Sequence, residues 1–439
     1  MQRPNFLVFI VDQMRADHLG CAGNPVIRTP NLDRLAASGV QMDRAYVNCP
    51  LCMPSRSTLI TGLTPRGHRV RTNGIPLDRN IPTMTQALVD AGYRTASAGK
   101  IHLTNYGRHK DIPIEAMPPE AFPEMGEHWR VGTIQSMPSP YYGIQDIDLV
   151  LGHGIGPAGC GGDYTNWLRD NHPDAYQLAQ DRSRLKPSPL GAEQCATIPL
   201  PEELHHTAWV ADRTIDWINA NGSQSPFLMF CSFPDPHHPY HLPAPWDTMY
   251  SPDEVVLPVS RDGELDDLAP FFRKIYNERL PLSGRSDPTK MPDAQRREII
   301  AYTYGMVSSL DKHIGRVLDA LDAKGLIDNT VVLFIADHGD LMGDHGLQNK
   351  GPFHFEGLLR MPMLWRFPGR FVNRSTAALA SMLDVAPTLL DLAGVPIPEG
   401  PASPEAEQQP RAWPGRSLVP VLTGRADSIQ DSVIIENDE

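Results

Sequence analysis

Three short apolar runs constrain this chain more than anything else in it. Asn5–Val11 reads NFLVFIV, Phe227–Phe233 reads FLMFCSF and Thr330–Ala336 reads TVVLFIA. Each lacks the alternation of a half-exposed strand and is far too short to span a membrane. Each therefore reads as a strand buried on both faces of a parallel sheet. Helical patterns separate them. Thr29-Pro30 opens one, with Thr29 as N-cap, Leu32, Leu35 and Ala36 on one face, and Gly39 as its stop. Ile81–Ala91 repeats the design ahead of Gly92, and a short strand follows at Tyr93–Ala98. His206–Asn219 and Asp293–Ala323 carry the same spacing. Strands alternating with helices predict an α/β fold: a large, mostly parallel sheet sandwiched by helices.

Such sheets bind ligands beyond the carboxyl ends of their strands. Residues able to do chemistry do follow the apolar runs. Asp12 follows the first, Lys100 and His102 follow Tyr93–Ala98, His237 follows the second long run, and Asp337-His338 follows the third. Two Pro- and Gly-rich stretches, 104–200 and 240–290, show weak periodicity and read as loop inserts that set specificity.

The net charge of -13 argues against nucleic acid as a partner. No stretch approaches about 18 uninterrupted apolar residues, so no membrane partner is expected. The start shows no secretory leader, which makes the cytoplasm the expected compartment. Six cysteines are too sparse for a disulfide scaffold. Cys49 and Cys52 have the spacing of a redox or zinc half-site, but no second close pair completes one.

Residues 52–62 read CMPSRSTLITG. Pro54 suits a first helical turn, so residue 52 belongs at a helix N-terminus, where the dipole favours an oxyanion. Arg56, one turn on, faces the same pocket. Lys100 and His102 lie two apart on a segment expected to be extended, hence on one side. The segment from Cys52 resembles the sulfatase signature C-x-P-S-R. Asn5–Asp12, Thr29–Leu35, Gly99–Leu103, Pro236–Pro239, Asp337–Gly339, Gly346–Lys350, Arg360–Pro362 and Pro368–Gly369 resemble further segments of that family, over roughly residues 4–395.

The resemblance implies an alkaline phosphatase-like fold and a sulfuric ester hydrolase acting on a small sulfated substrate. It implies that Cys52 is oxidised to formylglycine by a formylglycine-generating enzyme. It places a divalent cation on Asp12 and Asp337, with Gln13 where many sulfatases have a second aspartate, His338 where many have asparagine, and residue 52 itself. Both replacements also occur in phosphonate monoester hydrolases. Carboxylate and amide oxygens suit Ca²⁺, the first expectation, while the imidazole moves the balance toward Mn²⁺ or Zn²⁺. The family pattern gives Lys100 the nucleophile to hold and makes His102 the base. It sets His237 on the sulfate and bridging oxygen, and has Lys350 neutralise sulfate near the leaving group. Asn73 is a substrate contact or a turn residue; His238 is structural.

The alternative is a phosphonate monoester or phosphodiester hydrolase, favoured by Gln13 and His338 and opposed by Lys100 and His102. A non-catalytic binding protein would lack a site residue, and every position is filled. Phosphatase- or mutase-like transfer would need a serine or threonine nucleophile. Residues 1–425 are expected to form the catalytic domain. At 426–439, Val433-Ile434 reads as a strand opening a reduced or truncated C-terminal subdomain. Oligomeric state stays open, a homo-oligomer included.

Overall fold

The computed structural model describes residues 3–107, 112–154, 161–261, 263–270, 273, 291–399 and 413–437; part of each insert lies outside these. Eleven strands occur among them, labelled in chain order: β1 (Asn5–Val11), β2 (Val40–Tyr46), β3 (Arg94–Gly99), β4 (Asp146–Leu149), β5 (Lys186–Pro187), β6 (Cys195–Thr197), β7 (Phe227–Phe233), β8 (Tyr240–Leu242), β9 (Thr330–Ala336), β10 (Met363–Arg366) and β11 (Arg374–Ser381). The three apolar runs are β1, β7 and β9, and every residue in them is buried. Their side chains gain about 1.5–3 kcal/mol each for the larger aliphatic and aromatic residues, which fixes these strands at the sheet centre.

Eight strands pair in the order β11-β2-β10-β9-β1-β7-β3-β4. Only β10 runs antiparallel to its neighbours. The expected mostly parallel, helix-covered sheet is therefore present, in an alkaline phosphatase-like arrangement. Register carries the functional consequence. Val11 lies between Phe233 and Ala336, so Asp12 and Asp337 emerge side by side. The Asp337 amide donates to the Val11 carbonyl at 3.0 Å, and the Asp12 amide to the Asp235 carbonyl at 3.1 Å.

Several expectations need correction. Thr29 starts its helix, Pro30–Ala37, without a side-chain cap. Its hydroxyl instead accepts from the Gly20 amide and donates to Asp33. The helix read from Ile81 begins at Met84, because the Thr83 hydroxyl caps the Gln86 amide there. The 104–200 insert is not all loop. It holds β4, an edge strand of the main sheet, and two helices at Asp163–Asn171 and Pro173–Gln180. Val433-Ile434 forms no strand. That segment is tied to Asn48, whose side chain donates to the Ile434 carbonyl and whose carbonyl accepts from the Glu436 amide. No helix among the described residues is long and apolar enough to cross a membrane.

Gly99 ends β3 with φ +107°, in the region that disfavours side chains, and a Cβ there would overlap the Ser232 carbonyl oxygen. The Lys100 amide donates to that same carbonyl at 2.8 Å. Gly99→Ala should therefore cost about 2–4 kcal/mol of stability, read as a lowered denaturation midpoint. A midpoint within error of the parent would show that β3 can shift to make room.

Candidate active site

Cys52 is the first residue of the helix Cys52–Thr61, and all ten residues of that helix are buried. Leu51 precedes it with extended backbone and no side-chain cap. The Asn73 side-chain oxygen supplies one instead, accepting from the Met53 amide at 3.0 Å. Asn73 thus meets the residue after Cys52 through its side chain. Three further groups meet at the Cys52 sulfur: His338 Nε2 at 3.1 Å, Lys350 Nζ at 3.1 Å and Asp12 Oδ1 at 3.5 Å. Asp12, Cys52, Asp337 and His338 offer ligand atoms that all lie within 4.8 Å of one another.

Two buried carboxylates side by side repel unless cations separate them. Arg56 donates through Nε to Asp337 at 2.7 Å and comes within 4.0 Å of Asp12 through Nη2. Its Nη1 is fixed by the Lys100 carbonyl at 2.9 Å and the Ser232 hydroxyl at 3.0 Å. Lys100 Nζ pairs directly with Asp12. Burial alone would raise the Asp12 pKa; Lys100, His237, Arg56 and Lys350 together bring it well below the carboxylate range. Burial and Asp12 likewise push the Cys52 thiol up, but Lys350, Lys100 and His338 carry it below the ordinary thiol value.

The donors fit a divalent cation. Two carboxylates, an imidazole and the Cys52 sulfur converge, and the neighbouring Gln13 carries an amide oxygen, Oε1, that is buried with no protein partner. Gln13 sits in left-handed backbone, φ +60°, with its amide N–H on Asp337 Oδ1 at 3.0 Å. Lys350 Nζ also reaches His237 Nε2 at 3.2 Å. The other ring nitrogen of His237 donates to the His238 carbonyl.

The extended segment expected at Lys100–His102 is absent. His102 adopts φ +59° because Glu124, a buried carboxylate, collects the successive amides of His102, Leu103 and Thr104. Tyr141 donates to the same carboxylate at 2.7 Å. His102 nonetheless feels the site. Burial, then Lys100 and Arg56, hold its pKa well below the imidazole range, and its Nδ1 has no partner.

The structure adds one imidazole that the sequence did not indicate. His153, past the end of β4, stacks on His237 with centroids 3.5 Å apart and planes at 7°. Its Nδ1 accepts from Lys100 at 3.3 Å and its Nε2 meets the Tyr106 hydroxyl at 3.1 Å. Its only sequence signal is a place beyond a strand end, and that strand carries no apolar run.

A further buried cluster supports the site from behind. Asp235 accepts from His206 Nε2 at 2.8 Å and from the Thr207 hydroxyl, two residues before His237. Burial would raise its pKa; His206, His205 and Thr207 bring it from 3.8 down to about 2. A depressed folded value means stability present above the unfolded pKa and lost as pH falls through the folded one. The stability gap between the parent and Asp235→Asn should therefore narrow by about 2 kcal/mol between pH 5 and pH 2, followed by denaturant titration at each pH. A pH-independent gap would refute this assignment.

A parallel sheet with carboxylates, cations and a helix-start cysteine gathered at its carboxyl edge defines a hydrolase of the alkaline phosphatase-like class. The Sulfatase family profile matches residues 4–395, and the chain belongs to the sulfatase family. It is 29% identical over 409 residues to the arylsulfatase of Clostridium perfringens, covering 90% of this chain and 76% of that one. It is 26% identical over 444 residues to the multifunctional alkaline phosphatase superfamily protein PehA of Trinickia caryophylli, covering 96% and 77%. Among solved structures it resembles the phosphonate monoester hydrolase SpPMH of Silicibacter pomeroyi, with TM-score 0.75, 26% identity and 97% and 77% coverage.

Proposed function

We propose that the chain hydrolyses sulfate monoesters to an alcohol and inorganic sulfate, with Cys52 oxidised to formylglycine and a divalent cation held by Asp12, Gln13, Asp337 and His338. One observation carries this: Asp12, His338 and Lys350 converge on a single buried sulfur inside the C-x-P-S-R motif. Oxidised and hydrated, residue 52 presents two hydroxyls on one carbon, one to attack sulfur and one whose deprotonation expels sulfate. A bound cation supplies the charge that lowers the pKa of the attacking hydroxyl. Ca²⁺ is the first choice for the oxygen donors; His338 leaves Mn²⁺ and Zn²⁺ as alternatives.

The chain's own side chains do the remaining work. Arg56 and Lys100 hold Asp337 and Asp12 in place. Lys350 neutralises the transferring group and, held in place by His237, gives the proton to the departing oxygen. His102 is neutral and unpaired at Nδ1, so it takes the proton of the second hydroxyl. His153 holds Lys100 and His237 in register by hydrogen bond and stack. Asn73 acts through the helix start and not through the substrate. A thiol or serine at position 52 has no second hydroxyl and traps the sulfated enzyme.

The test is mass spectrometry of the peptide holding residue 52, from protein made with a formylglycine-generating enzyme. A thiol-to-aldehyde mass change is expected, and Cys52→Ala should lose turnover by about 10³-fold or more while staying folded. Parent-level hydrolysis of sulfate esters by Cys52→Ala would refute the mechanism.

A second function, hydrolysis of phosphonate monoesters or phosphodiesters, is favoured by Gln13, His338 and the likeness to SpPMH. Lys100 and His102 oppose it as the main activity. Sulfate and phosphonate both present tetrahedral anions to the same cations, so both should turn over. We expect kcat/KM on nitrophenyl sulfate to exceed that on a phenyl phosphonate monoester by about tenfold or more. The reverse order would make the phosphonate activity primary.

A further inference from the structure

Gln13 brings a neutral amide to the proposed cation site, and an amide offers either its oxygen or its NH₂ to whatever it faces. A cation requires the oxygen. The surroundings of Gln13 contain a device that fixes the choice. Its Nε2 donates to Asp340 Oδ2 and lies 3.2 Å from His238 Nδ1. The opposite oxygen of Asp340 accepts from the Met342 amide at 2.9 Å. Asp340 thus meets an N–H on each oxygen and acts as an acceptor on both. Turning the Gln13 amide over would press its oxygen against a carboxylate. Asp340 itself cannot drift. Its amide donates to the Gly357 carbonyl at 2.9 Å, its carbonyl accepts from Arg15 at 3.0 Å, and the residue is fully buried. The remaining Gln13 atom, Oε1, is the buried oxygen without a protein partner.

We infer that Asp340 is a positioning residue that locks the Gln13 amide with its oxygen toward the cation site and thereby sets cation affinity. This takes the proposed cation site as given. The mechanism makes an unusual demand on a nearly isosteric change. In Asp340→Asn the Met342 amide, a fixed backbone donor, claims the Asn oxygen. The Asn NH₂ then faces Gln13 and turns that amide over, so that its NH₂ points at the cation. A second substitution should undo the damage. In Gln13→Glu, one carboxylate oxygen accepts from the Asn NH₂ while the other still faces the cation.

The test is calorimetric titration of metal-free protein with Mn²⁺ and with Ca²⁺, with no substrate present. Asp340→Asn should weaken binding by about 10–100-fold, the usual effect of removing the partner that orients a ligand. Gln13→Glu alone sets the baseline for its added charge, and the double variant Gln13→Glu/Asp340→Asn should bind no more weakly than that single variant, a coupling that independent sites would not show. A purely structural role for Asp340 would lower the unfolding temperature of the metal-free protein and leave affinity alone. Parent-like affinity in Asp340→Asn, or a loss that persists in the double variant relative to Gln13→Glu, overturns the inference while leaving the cation site standing. A parent protein that binds neither ion overturns the site and the inference together.

Discussion

The site depends on two carboxylates that would repel each other without Arg56. Asp12 and Asp337 emerge from adjacent strands in matched register, buried and side by side. At low local dielectric that arrangement costs several kcal/mol unless cations stand between the charges. Arg56 reaches both, and Lys100 pairs with the same Asp12 oxygen that Arg56 approaches. The guanidinium comes from the helix that starts with Cys52, so neutralising the carboxylates and placing Cys52 are one structural act. Removing Arg56 would leave the buried Asp337 carboxylate without its guanidinium partner.

The basic groups settle a second conflict. The chain is acidic overall, yet its site gathers Arg56, Lys100, Lys350 and several imidazoles. Burial and this cationic field hold His102, His153 and His237 well below the ordinary histidine value. Neutral imidazoles can stack, as His153 does on His237, and can accept protons beside ammonium groups. The same cations therefore help to keep these imidazoles uncharged.

What the sequence disclosed follows from burial. Strands β1, β7 and β9 are buried on both faces, so their apolar runs are uninterrupted and their ends mark Asp12, His237 and Asp337-His338. By contrast, β2 reads VQMDRAY, with buried Val40, Met42 and Ala45 among exposed and half-buried neighbours, and β10 is four residues long. Neither shows such a run. His153 was illegible for the same reason, because β4 reads DIDL and only Leu149 is buried. The extended backbone expected at Lys100–His102 failed for a different one: three amides converging on Glu124 bend this segment.

That carboxylate has a wider meaning. Glu124 and Tyr141 belong to the insert expected to tune specificity, yet they shape the backbone under His102. His153, from the same insert, braces Lys100. The insert and the geometry around Lys100 and His102 are thus not separable modules in this chain. An insert transplanted from a relative would have to bring its own anchor for those three amides. Without one, altered selectivity would arrive together with a misplaced base.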